Sequence, residues 1–221
     1  MKKPIPTYSG TLRNHILNVP AATYECSGIL IFGRRIKSLV FSTDAATIAN
    51  INTDAVIAVY PFTPQPKISQ AILSVSDIPV FVGVGGGITS GERSVRMAIE
   101  AENQGAYGVV VNAPMSPAMI AEIKTHVELP VIATIVSITQ DIDDRIRAGS
   151  DILNVLAAAD TPAVVAYIRK HYPDLPIFAT GGPTEDSIRS TILAGANAVT
   201  YTPPSCGSLL SQTMQSYRAV Y

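Results

Sequence analysis

The chain is poor in the side chains on which many enzymes rely. Its 221 residues include three histidines, two cysteines and no tryptophan, and only 15% are charged. The histidines (His15, His126, His171) are scattered outside the positions where a site is expected below, so a His-based metal centre or general base is not expected. Cys26 and Cys206 lie far apart without metal-ligand spacing and read as reduced thiols of a cytoplasmic protein. With 16 Lys plus Arg against 17 Asp plus Glu, the chain offers neither a basic nucleic-acid surface nor a polyanionic tail. No run approaches about 18 uninterrupted apolar residues, which argues against a membrane span. The start, Met1-Lys2-Lys3-Pro4-Ile5-Pro6, has the charge of an export signal but no apolar helical run behind it.

What the chain does have is apolar residues, 47% of the total, in enough length for one large domain with a full core. Short β-branched runs alternate with helical stretches. Strands are expected at 36–41, 55–60, 80–84, 107–111, 131–135, 151–155, 177–180 and 198–201, and a low charge content suits strands buried on both faces. Helices are expected at 92–104, 117–126, 139–147, 162–171, 185–193 and 209–217, with little room for one near 45–50. Pro117 and Pro162 suit a first helical turn, capped by Ser116 and Thr161. Gly105, Gly149 and Gly195 stand where helices end, and Pro79, Pro130 and Pro176 immediately precede strands.

Eight evenly spaced βα units predict a closed (β/α)8 TIM barrel over 36–221 rather than a doubly wound sheet, whose longer edge connections fit less well. Residues 1–35 form an N-terminal extension on the barrel. Within it, 28–32 suits an extra strand turning at Gly33-Arg34-Arg35, which covers the barrel's bottom or meets another subunit.

A Gly-rich segment occurs twice between strand and helix. One copy runs Val82-Gly83-Val84-Gly85-Gly86-Gly87 and the other Ala179-Thr180-Gly181-Gly182-Pro183-Thr184. They fall four units apart, as a duplicated half-barrel would place them. In a barrel the ligand end is the C-terminal rim, where helix amides converge. Thr180, Gly181 and Gly182 are therefore the expected phosphate corner, since adjacent glycines let amides approach an anion closely. After the last strand come Tyr201-Thr202-Pro203-Pro204, whose prolines lack donors. The cradle must then be completed by Ser205, Cys206, Gly207 or Ser208. Gly85, Gly86 and Gly87 are a possible second anion or substrate site.

For proton transfer the rim offers Asp44, which equally suits an N-cap. Asn112, Thr134 and Asn154 interrupt apolar strand runs near the rim, where an inward amide or hydroxyl needs a polar partner. Asn112 and Asn154 are candidate catalytic residues beside Asp44, and Tyr60, Thr134 and Tyr201 are candidate substrate-lining residues. No lysine falls on the rim half of any strand: Lys37 starts the first one and Lys67 lies in a loop. A Schiff-base aldolase is disfavoured.

The stretch Pro-Ile-Phe-Ala-Thr-Gly-Gly-Pro-Thr, followed by Leu-Ala-Gly-Ala-Asn-Ala-Val, resembles the last two strands of phosphate-binding TIM barrels. That superfamily includes thiamine-phosphate synthases, keto-deoxy-phosphogluconate aldolases, thiazole synthases, IMP dehydrogenases and FMN-dependent nitronate oxygenases. The resemblance covers 176–205, about a seventh of the chain, with a weaker echo at 79–111. It implies that Gly181 and Gly182 hold a phosphate. The chain departs from those families in lacking a Gly-Ser or Gly-Thr pair directly after the last strand. Three functions fit these readings: a phosphate-anchored lyase, synthase or isomerase of a small phosphorylated metabolite, an FMN-binding oxidoreductase, or a non-catalytic metabolite-binding scaffold. A homo-oligomer without nucleic-acid or membrane partners is expected.

Overall fold

The computed structural model describes residues 4, 6–8, 10 and 16–219; His15 lies outside them. A two-stranded antiparallel hairpin, β1 (Ile29–Ile31) and β2 (Arg34–Ile36), leads into eight parallel strands. These are β3 (Ser38–Phe41), β4 (Ala55–Ala58), β5 (Val80–Gly85), β6 (Gly108–Val111), β7 (Val131–Ile135), β8 (Ile152–Val155), β9 (Ile177–Thr180) and β10 (Ala198–Tyr201). They pair in chain order, and β10 closes on β3, giving the expected (β/α)8 barrel. The helices are α1 (Ala45–Ala49), α2 (Pro66–Val75), α3 (Glu92–Asn103), α4 (Pro117–Lys124), α5 (Ile142–Arg147), α6 (Thr161–His171), α7 (Glu185–Leu193) and α8 (Cys206–Arg218).

Alternation along each strand builds two cores. Val56, Val82, Val109, Ala133, Leu153 and Ala179 face outward onto the helices. Leu39, Ile57, Phe81, Val110, Ile132 and Phe178 face the lumen. There the rings of Phe81 and Phe178 meet edge to face at 5.4 Å. Ile29, Ile31 and Ile36 of the hairpin join this inner cluster, so the hairpin plugs the end opposite the rim. Its turn, Phe32-Gly33, is left-handed at both residues (φ 45° and 79°), as two-residue hairpins require. The ring of Phe32 lies edge-on to Tyr107 at 5.5 Å.

Arg34 and Arg35, expected in a turn, belong with Ile36 to β2, so the first barrel strand begins at Ser38 rather than at residue 36. Beyond that boundary, the structure departs from the sequence reading at three elements. Residues 66–75 form α2, hidden among Pro61, Pro64 and Pro66; the last of these occupies the helix's first turn. Lys67, expected in a loop, is therefore helical. Thr161 is the first residue of α6 rather than its cap, because a 3-10 turn, Ala158–Asp160, intervenes; its hydroxyl instead accepts from the amide of Ala157 at 3.1 Å.

The third departure concerns the barrel's outer wall. A 3-10 turn at Ala21–Glu25 places Ala22 and Cys26 against Val199 of β10 and Ile188 of α7. The carboxylate of Glu185 accepts the amides of Ala21 and Ala22 at 2.8 and 2.7 Å. This seat is the one a barrel's last helix ordinarily takes in the outer ring. With the seat filled, α8 has no buried residue. Cys206, Leu209, Leu210, Thr213, Met214 and Tyr217 form a continuous stripe along it at helical spacing, with Leu210 and Tyr217 63% and 56% exposed.

Candidate functional site

The rim end of the lumen is divided by chemistry. Closed barrels stagger by one residue per strand, so side chains from alternate strands form layers of four. Above the floor of Leu39, Phe81, Ile132 and Phe178, the strand registers put Asn154 and Thr200 in one layer with Ile57 and Val110. The next layer holds Thr134 and Thr180 with Phe41 and Gly83. The half of the mouth made by β7 to β10 is thus polar and uncharged, and the half made by β3 to β6 is apolar. None of these lumen-facing residues is basic or acidic.

Two of the polar groups are orphaned. Asn154 and Thr200 are 4% and 6% exposed, and Asn154 Oδ1 and Thr200 Oγ1 have no hydrogen-bond partner among the described residues. Leaving such groups unpaired in an interior costs about 1–3 kcal/mol each. Such groups take an ordered water or a ligand atom as their partner.

Next to this half stands the glycine corner. Gly181 is buried, and a Cβ there would lie 2.4 Å from Val199 Cγ1 and 2.7 Å from Ile188 Cγ1, so its size serves the packing of β9. Its amide donates to Thr200 O at 3.2 Å and is committed to the barrel. Gly182 is left-handed (φ 79°). The amide of Thr184 is bound by Ser187 Oγ at 3.0 Å within the capping box of α7, and Pro183 has none. Gly182 therefore carries the free amide of this loop among the described residues. At α8, Ser205 Oγ accepts the amide of Ser208 at 3.2 Å, leaving those of Cys206 and Gly207 without an acceptor among the described residues. The corner borders a cavity of about 620 Å³ between α6 and α7, lined by Thr180, Gly181, Gly182, Pro162 and Ala158 among others. Ala158 adopts a left-handed φ of 51°, a strain of the kind that clusters at ligand sites.

Asp44 turns out to be the N-cap of α1. Its Oδ1 accepts the amide of Thr47 at 2.7 Å and the thiol of Cys206 at 3.0 Å. These two bonds, the thiol's first, hold its carboxyl below the usual carboxylate range. The carboxylate thus joins the start of α1 to the start of α8.

The first glycine copy borders a second, smaller cavity of about 100 Å³, lined by Tyr60, Phe62, Gly85, Gly87, Ile88 and Asn112 among others. The amide of Gly86 donates to Thr89 O at 2.8 Å, and a Cβ on Gly86 would meet Asn112 N and O at 2.7 Å. These glycines let the loop pass under Asn112. The lining has no cation, so the cavity suits an apolar or neutral group better than an anion. Tyr60 reaches it, while its hydroxyl accepts the amide of Gln65 at 2.8 Å.

Of the expected lining residues, Thr134 faces the lumen. Tyr201 does not: by strand alternation it shares the outward face of Val199. The lumen position of β10 is Thr200, which the sequence reading passed over although it breaks an apolar strand as Asn154 does. Arg145 was also missed. It is 3% exposed and bonds Asp141 Oδ1 at 3.1 Å and Ala113 O at 2.7 Å, bracing the loop that carries Asn112. His126 and His171 are exposed near the far ends of α4 and α6.

The chain is thus a closed parallel barrel with its candidate site at the C-terminal rim. No protein-family model matches the sequence, and no curated protein matches it. Solved structures do match in fold. A phosphoenolpyruvate phosphomutase from Streptomyces platensis subsp. rosaceus is 12% identical, with 83% of this chain and 82% of that one covered, at a TM-score of 0.65. A phosphonopyruvate hydrolase, solved with oxalate and Mg++, is 13% identical over 84% and 82% at 0.60. Inosine 5'-monophosphate dehydrogenase from Legionella pneumophila is 14% identical over 74% and 57% at 0.58. These likenesses carry the fold.

The residues present do not fit the metal that accompanies the hydrolase. Among the described residues no group of three His, Cys, Asp or Glu side chains could hold an ion, and the rim carboxylate Asp44 is taken up in capping. A flavin phosphate would find the Gly182 amide, but no lumen-facing strand residue offers a cation to the ring system. No helix among the described residues is long and apolar enough to cross a membrane.

Proposed function

We propose that this barrel is a phosphate-anchored enzyme of the lyase, mutase or isomerase type, acting on a small phosphorylated metabolite. The observation that carries the reading is the pair of orphaned groups, Asn154 Oδ1 and Thr200 Oγ1, in the lumen beside the glycine corner. The amides of Gly182, Cys206 and Gly207 anchor the phosphate. Thr180, Ser205 and Ser208 flank that anchor, and Gly181 shapes it. Asn154, Thr200 and Thr134 orient the substrate body inside the lumen, with Asn112 above them. Phe41, Tyr60 and Phe62 exclude water from the opposite side. Asp44 is the rim's candidate for accepting a proton, in its ionised form; its lowered pKa makes it a weak base, better suited to holding Cys206 in place. The solved structures with this fold include a phosphomutase and a phosphonopyruvate hydrolase, which accords with phosphorylated or phosphonate substrates.

The absence of charge from the lumen-facing layers favours a second reading, a barrel that binds its metabolite without turning it over. One experiment separates them. The protein is incubated in D2O with a panel of small phosphorylated metabolites and followed by proton and phosphorus NMR. Turnover or deuterium incorporation that is lost in Gly182→Ala and in Asn154→Leu supports the enzyme. Saturable binding without either supports the binding protein, and no binding rejects both.

The expected homo-oligomer has a natural contact in α8. Its stripe carries no charge to match a charged partner, and its place on its own barrel is filled, so we assign a second copy's α8 as its occupant. A helix pair about 20 Å long falls short of the roughly 800 Å² per partner of a stable interface. A weak, concentration-dependent dimer follows.

A further inference from the structure

The phosphate anchor leaves open what the rest of the ligand is, and the lumen specifies it. A carboxylate entering this mouth would be desolvated with no cation to meet it, at a cost of several kcal/mol. None of the lumen-facing residues in the upper layers (Ile57, Val110, Asn154, Thr200, Phe41, Gly83, Thr134, Thr180) is charged. The buried cation Arg145 bonds Asp141 and Ala113 O from α5 rather than from a lumen-facing strand position, and its Nη1 has no partner among the described residues. What the lumen offers is one amide and three hydroxyls on a single side, groups that each donate and accept. Two of them lack any partner among the described residues while more than nine-tenths buried. Beneath them Phe178 and Phe81 pack edge to face in the inner cluster and close the floor.

We propose that the part of the ligand received by the lumen is uncharged and carries hydroxyl or carbonyl groups, so that the site takes a phosphorylated polyol or hydroxyketone and rejects a phosphorylated carboxylate. The proposal rests on the phosphate anchor at Gly182. It sets this chain apart from the phosphonopyruvate hydrolase of the same fold, whose structure holds oxalate and Mg++.

The test is calorimetric titration of the full chain with inorganic phosphate, glycerol 3-phosphate and 3-phosphoglycerate. Glycerol 3-phosphate should bind at least about tenfold more tightly than either of the others. In the double variant Asn154→Leu with Thr200→Val that advantage should vanish while the affinity for inorganic phosphate stays. Equal or tighter binding of 3-phosphoglycerate, or an advantage that survives the double substitution, overturns the proposal and leaves the phosphate anchor standing. Failure of all three probes to bind overturns the anchor and the proposal with it. Circular dichroism of the double variant confirms that it is folded.

Discussion

At the scale of single residues, the site is visible as a stability cost. Asn154 and Thr200 each bury a polar atom that has no hydrogen-bond partner among the described residues. Replacing them by Leu and Val, of similar shape, should leave urea unfolding unchanged or raise stability by about 1–3 kcal/mol per site, while the advantage of an organic phosphate over inorganic phosphate is lost. A loss of stability of that size would show that the two groups are satisfied within the protein. The glycines divide in the same way. Gly181→Ala should destabilise by about 1–3 kcal/mol by overpacking against Val199 and Ile188. Gly87→Ala, with no atom within 4 Å of the added carbon, should stay within about 0.5 kcal/mol in the same unfolding experiment. Asp44 has a pH signature. Its carboxyl is lowered in the folded state, so the capping contribution is complete above the usual Asp range near 4 and is lost as pH falls through the lowered value. Asp44→Ala should cost about 1 kcal/mol at neutral pH, and the gap in thermal midpoint between variant and wild type should narrow as pH falls through the lowered value.

At the scale of elements, the sequence reads well where one signal dominates. All eight barrel strands were legible because each is an apolar run between a helix end and a rim turn. Gly105, Gly149 and Gly195, just past helix ends, all take positive φ (87°, 102° and 115°). The helix α2 was illegible because Pro61, Pro64 and Pro66 read as loop, although a proline in a first turn is compatible with a helix. The site was half legible. Asn112, Thr134 and Asn154 stand out as polar interruptions of apolar strands. Thr200 obeys the same rule, but choosing between it and Tyr201 needs the strand's phase, which the outward packing of Val199 fixes. The N-cap role of Asp44 was legible, but its bond to Cys206 was not, since that partner lies 162 positions away. Arg145 gave no signal, because burial of a helix-face arginine depends on the neighbouring loop that receives it.

At the scale of the whole molecule, the N-terminal segment decides what α8 does. Ala22 and Cys26 lodge on β10, while α8, bonded at its start to Asp44 through Cys206, leaves Leu210, Met214 and Tyr217 exposed. Leu210→Ser with Met214→Ser should shift a concentration-dependent dimer to monomer in light scattering without changing the circular dichroism spectrum. A monomer already present in the wild type at high concentration would refute that contact. The central claim concerns the anchor, and amide NMR of the isotope-labelled protein titrated with inorganic phosphate tests it most directly. The account predicts that the Gly182, Cys206 and Gly207 resonances move together and saturate, while those of Gly86 and Gly87 stay in place. Saturable shifts at Gly86 and Gly87 alone, or no saturable shift at all, would contradict it.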